Sequence, residues 1–116
     1  MSLVDFIKNS QIYDPGNPVE GSKLQYSSEA LSGTEIDFSG SSDFFTKTIA
    51  ENTTFTIISP KLGRVICLVV DGDYTITMPA TVTDVGDLEY DGTVTNYVYI
   101  QCVDASTPKY IMTVVR

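Results

Sequence analysis

Six consecutive apolar residues, Val65-Ile66-Cys67-Leu68-Val69-Val70, stand between Arg64 and the turn-forming triplet Asp71-Gly72-Asp73. A bilayer core needs about 20 apolar residues in a helix, so this run is far too short to span one. Rich in β-branched residues and bounded by turn signals, it reads as a strand covered on both faces. A chain that owns such a strand has to build a sheet around it. The rest of the second half agrees, because Val, Ile, Thr and Tyr recur there with little Leu or Ala.

The flanking segments show the period of two that marks half-buried strands. Phe45, Lys47 and Ile49 alternate with Phe44, Thr46 and Thr48, and Phe55 and Ile57 alternate with Thr54 and Thr56. After the central run, Tyr74, Ile76 and Met78 alternate with Thr75 and Thr77 until Pro79. Asp-Gly is a tight-turn signal, so Arg64–Val70 and Tyr74–Met78 are expected to form an antiparallel hairpin. Asn96 to Val103 sets Val98, Ile100 and Cys102 against Tyr97, Tyr99 and Gln101, and Tyr110 to Val115 closes the chain. Val82, Val85 and Leu88 read as a covering loop or a short strand. Strands separated by turns every 8–12 residues indicate an all-β domain over 44–116, a compact antiparallel β-sandwich or barrel. Period-two placement predicts a joint core of Ile57, Val65, Cys67, Val69, Ile76, Val98, Ile100 and Val114.

Residues 1–43 read differently. They hold seven acids against two lysines, frequent Ser and Gly, and the segment Asp14-Pro15-Gly16-Asn17-Pro18, which excludes a helix or a central strand there. Leu24, Tyr26, Leu31, Ile36 and Phe38 come singly, too sparse for a separate core. This half is expected to be an extended N-terminal arm. Ser2 with Asp5 fits a helix cap, and Leu3, Phe6 and Ile7 share one helical face, so residues 2–9 form either a short helical anchor or a frayed end. No positive n-region precedes an apolar stretch in residues 1–11, so no secretory leader is expected.

Charge and residue types narrow the function. Fifteen acids against seven basic residues give a net charge of −8, and the scattered Lys and Arg form no patch to displace counterions from phosphates. Nucleic acid and anionic membranes are therefore not expected partners, and the charge serves either solubility or docking onto a basic protein surface. The chain has no His to act as a base for a nucleophile, so no catalytic residue is expected and the chain reads as non-enzymatic. Asp71 and Asp73 flank Gly72 in a turn, where Asp is favoured for backbone reasons. Asp84, Asp87, Glu89 and Asp91 are the best group for Ca²⁺, but their spacing departs from the EF-hand pattern, and they read as a solvated loop. No metal and no cofactor are expected. Cys67 and Cys102 lie in apolar strands and read as buried free thiols, with a cross-strand disulfide as the alternative; synthesis in the cytosol favours the thiols. Tyr97 and Tyr99 share a strand face, with Tyr90 and Tyr110 expected near them. Such a face suits either a subunit contact or cover by the arm of the same chain.

From Asp43 onward the chain resembles a β module of tailed-bacteriophage virion proteins. The residues that carry the resemblance are Phe45-Thr46-Lys47-Thr48-Ile49, Glu51-Asn52-Thr53-Thr54-Phe55-Thr56-Ile57, Gly63-Arg64-Val65-Ile66, Gly72 to Pro79, and Asp91-Gly92-Thr93 through Ile100. It implies a virion structural protein made in the host cytoplasm, whose partners are other virion proteins, the major capsid protein first, and which forms a homo-oligomer such as a trimer. The short length and an acidic β domain with an extended arm favour a head-decoration or cement protein. The alternative is a tail-associated adaptor, or a receptor- or carbohydrate-binding β module of a tail fibre. Arm residues Leu3, Phe6, Ile7, Ile12 and Tyr13 and strand residues Tyr97 and Tyr99 are the expected interface.

Overall fold

The structure is a computed structural model and describes residues 28–116. Ten strands and no helix occur among these residues. β1 (Ser28–Ala30), β3 (Phe44–Thr48), β6 (Val65–Asp71), β9 (Asn96–Asp104), β10 (Lys109–Val115) and β8 (Val82–Asp84) line up in that order as one six-stranded sheet. Two small sheets complete the fold, β2 (Glu35–Asp37) with β5 (Thr56–Ile58) and β4 (Thr53–Thr54) with β7 (Ile76–Thr77).

The six-stranded sheet is mixed, where the turn signals predict an antiparallel one. β9 runs antiparallel to β6 and β10, but β1–β3, β3–β6 and β8–β10 are parallel, as are both small pairs. A regular winding produces the parallel pairs. Glu35 stands beside Thr56, Phe44 beside Cys67 and Thr53 beside Ile76, so each strand of the first coil meets one lying 21 to 23 residues further on. Residues 35–54 and 56–77 are thus two stacked coils, and β9 and β10 extend the middle layer as an antiparallel pair.

The expected hairpin of Arg64–Val70 with Tyr74–Met78 does not form. β6 has both edges taken, by β3 and by β9, so the chain leaves the sheet after Asp71. Gly72 turns it away at φ +129°, with its backbone against Ile49, and Ile49 N–H donates to Asp71 O at 2.8 Å. Ile76 and Thr77 then pair with β4 instead.

The core fills the space between the inner face of the large sheet and the walls made by β2–β5 and β4–β7. Ile36, Phe38, Phe55, Ile66, Leu68, Val70, Val98, Ile100 and Cys102 are fully buried there. Each large apolar side chain so buried contributes about 1.5–3 kcal/mol. Val98, Ile100 and Val114 belong to this core as expected, and Ile57 and Ile76 pack on its margin. Val65 and Val69 are only half-buried, and Cys67 is buried but on the other face of the sheet. The core face of β6 is Ile66, Leu68 and Val70, because Ile66 is registered with Ile100 and Leu68 with Val98. Residues 28–43 join the same core through Leu31, Ile36 and Phe38.

Arg64 fastens the first coil to the second. Its Nη1 donates to Phe38 O at 2.9 Å and to Gly40 O, its Nη2 donates to Ser42 O at 2.7 Å, and Asp43 lies 3.5 Å away. The planar fork holds donors on two separate nitrogens in fixed directions, a geometry that the single nitrogen of an ammonium does not reproduce.

Candidate docking surfaces

The carboxylates serve their own turns. Asp37 accepts from Ser39 N and Oγ, Asp84 from Gly86 N, Asp91 from Thr93 N and Oγ1, and Asp104 from Ser106 and Thr107. These bonds hold the carboxyls of Asp37, Asp91 and Asp104 below the ordinary Asp range, because an anion accepting N–H and O–H bonds resists protonation. Asp71 accepts from Thr95 Oγ1. Among the described residues no three metal-ligating side chains converge, so Asp84, Asp87, Glu89 and Asp91 do not form one ion site.

Cys67 and Cys102 are both free thiols. The register explains this, since they project from opposite faces of the sheet: Cys102 joins the core, whereas Cys67 shares the outer face with Tyr99. Burial pushes the Cys67 thiol up to about 12, with a hydrogen bond to Tyr99 opposing the rise.

The expected tyrosine cluster separates in the same way. Tyr97 and Tyr99 stand on the outer face beside Val69 and Cys67. Tyr110 is on the other side, buried in the core with its ring 5.1 Å from Phe38, because its register partner is Cys102. Tyr90 donates to Gly72 O at 2.7 Å in the loops. Burial first, then the charges of Asp71, Asp73 and Asp91, raise its phenol above the ordinary value. Leu3, Phe6, Ile7, Ile12 and Tyr13, and the helical anchor at 2–9, lie outside the described residues.

One surface was not legible in the sequence. β3, β6, β8 and β10 all finish at the end of the sheet where β9 begins. The loops leaving this end carry Tyr74, Val85, Leu88 and Val94, four of the eight large apolar side chains exposed among the described residues. Asp71, Asp73, Asp84, Asp87, Glu89 and Asp91 surround them in sequence.

Buried Asn96 holds this end together. Its Nδ2 donates to Asp91 O at 2.6 Å and Val94 O at 2.9 Å, while its Oδ1 accepts from Asp91 N at 3.1 Å and Arg116 Nε at 3.3 Å. Gly92 packs on Gly72 and Asp73, and Tyr90 closes the contact from the same side. The loop end is therefore a shaped acidic and apolar surface, with its backbone polar groups tied down. Apolar side chains spaced irregularly along turns give no periodic signal, and only the strand ends put them at one end of the sheet.

At the β8 edge an open groove of about 510 Å³ is lined by Ala80, Thr81, Thr83, Val103, Lys109 and Ile111, among others. No family model, curated protein or solved structure matches the chain.

Proposed function

We propose that the chain is a non-enzymatic structural protein of a phage particle, a decoration or cement protein that stabilises the capsid through contacts of its arm and its β domain. The supporting observation is the loop end of the sheet, where Tyr74, Val85, Leu88 and Val94 are exposed within an acidic frame. Apolar side chains ringed by charge suit a protein partner, and the acidic frame suits a basic coat surface. The small sheets facing the six-stranded one are read as the second layer of a sandwich, with the arm leading away from it. Leu3, Phe6, Ile7, Ile12 and Tyr13 are the arm's anchors on the neighbouring subunit, and decoration as a homotrimer is the reading's oligomeric form.

Binding to particles stripped of this protein tests the reading. Leu88→Glu with Val94→Glu, and separately deletion of residues 1–20, reduce occupancy. Leu62→Glu, at the opposite end of β6 and 68% exposed, leaves it unchanged. Equal occupancy by all three variants would defeat the proposal. The alternative, a tail adaptor or carbohydrate-binding module, draws on the groove beside β8, and its signature is recovery of the protein with tails rather than heads.

A further inference from the structure

The segment between β8 and β9, residues 85–95, carries Val85, Leu88 and Val94 of the loop end. Both of its flanks are tied down. Val85 N–H donates to Met112 O at 2.9 Å, and Gly86 N–H donates to Asp84 Oδ1 at 2.9 Å, with Gly86 lying against Thr113. On the far side Tyr90 donates to Gly72 O, and Asn96 bonds to Asp91 and Val94. Asp87, Leu88 and Glu89 lie between these ties. Among the described residues, the one hydrogen bond that these three make runs from Arg116 Nη2 to Glu89 O.

Arg116 directly follows β10 and is exposed. Its Nε donates to Asn96 Oδ1 at 3.3 Å, so one planar guanidinium joins Glu89 to the buried residue that also holds Asp91 and Val94. The sequence from Asp71 to Asp104 contains no Lys or Arg, so Arg116 brings a positive charge into an acidic end. That charge, behind the bonds from Thr93, helps to hold the Asp91 carboxyl low. A segment with no ladder of its own loses backbone freedom when a partner fixes it. A segment already held in place loses less, and binding is tighter for it.

We propose that Arg116 is the positioning residue of the loop end: its guanidinium bridges Glu89 O and Asn96 Oδ1, fixes residues 87–89, and so presents Leu88 to the partner in one place. This rests on the proposed docking of the loop end. Charge alone argues the opposite way. Removing Arg116 makes the end more acidic and strengthens its attraction to a basic surface, so a loss of binding reports position and not charge.

Two measurements on the full chain, with Arg116→Ala and Arg116→Lys, test it. The first is backbone amide relaxation by NMR on the free protein. The order parameters of Asp87, Leu88 and Glu89 are expected to fall from about 0.85 to below about 0.6 in Arg116→Ala, while those of β6 and β9 stay unchanged. Order parameters at 87–89 that do not change overturn the inference, whatever the particle does. The second is affinity for particles stripped of this protein, expected to be roughly tenfold or more weaker for Arg116→Ala. Arg116→Lys keeps the charge but has one nitrogen in place of Nε and Nη2, and is expected to follow Arg116→Ala. Binding by Arg116→Ala as tight as that of the parent chain, or binding by Arg116→Lys equal to the parent's, overturns the positioning role. If the parent chain itself does not bind the particle, the proposed function fails, and the order parameters alone decide whether Arg116 fixes the loop.

Discussion

Replacing Asn96 by Asp changes almost no volume and removes the two amide hydrogens that hold the loop end. The carbonyls of Asp91 and Val94, now 2.6 and 2.9 Å from Nδ2, would face a carboxylate oxygen instead. Losing two hydrogen bonds costs about 0.5–1.5 kcal/mol each, and a buried acceptor left facing another acceptor adds about 1–3 kcal/mol. The bond from Arg116 to Oδ1 offsets part of this, leaving about 3 kcal/mol of destabilisation at pH 7. For a domain of this size that corresponds to a melting temperature lower by roughly 10 °C. The deficit also depends on pH. A buried carboxyl facing two carbonyls has its pKa raised in the folded state, so its penalty appears as pH rises above the unfolded value of about 3.9. Below that value the protonated acid donates one bond and part of the loss is recovered. Urea unfolding at pH 7 and pH 3.5, each against the parent chain, measures both effects. A loss under roughly 0.5 kcal/mol at pH 7, or a deficit that grows on acidification, would refute the role assigned to Asn96.

Three further outcomes follow from the same geometry. Arg64→Ala removes a charged donor from Phe38 O, Gly40 O and Ser42 O and lowers stability by about 2–4 kcal/mol in urea unfolding, and Arg64→Lys recovers less than half because a single nitrogen does not reproduce the spread of Nη1 and Nη2 over these carbonyls. Gly72→Ala, at φ +129° with the new Cβ 2.7 Å from Ile49 Cγ1, costs about 2 kcal/mol or more, whereas Gly33→Ala, at φ +78° in open space, costs about 1 kcal/mol; thermal melts compare them. The lowered carboxyls of Asp37, Asp91 and Asp104 confer stability that is complete above the ordinary value of 3.8 and is lost as pH falls through their own lower values. Carbon-detected NMR titration should find all three below that value, and titration at or above it would contradict their turn bonds.

The sequence reading succeeds where a signal is local. The run Val65–Val70 and the alternation through Val98, Ile100 and Cys102 identify the two long strands that the structure pairs as β6 and β9. What the run lacks is a phase. Six apolar residues in a row do not say which alternate set faces the core, and pairing with β9 decides for Ile66, Leu68 and Val70. The parallel coils are equally silent, because Phe44 carries no mark of a partner 23 residues away at Cys67. Asp71-Gly72-Asp73 has the chemistry of a hairpin turn, but the competition for the edges of β6 is a tertiary matter. Tyr97 and Tyr99 are correctly placed on one face, while Tyr110 lies on the other because its register partner is Cys102. The loop end escapes a strand-by-strand reading altogether, since Tyr74, Val85, Leu88 and Val94 come to the same end of the sheet only through topology.

The proposed function makes this protein a repeated part of a phage shell. A cryo-electron microscopy reconstruction of the virion that carries it, compared with particles lacking it, tests that claim directly. Difference density is expected on the outside of the capsid, repeated with the shell's symmetry, with the acidic loops around Leu88 and Val94 against a basic coat surface. Density confined to the tail, or particles with no copy of the protein on the shell, would contradict it.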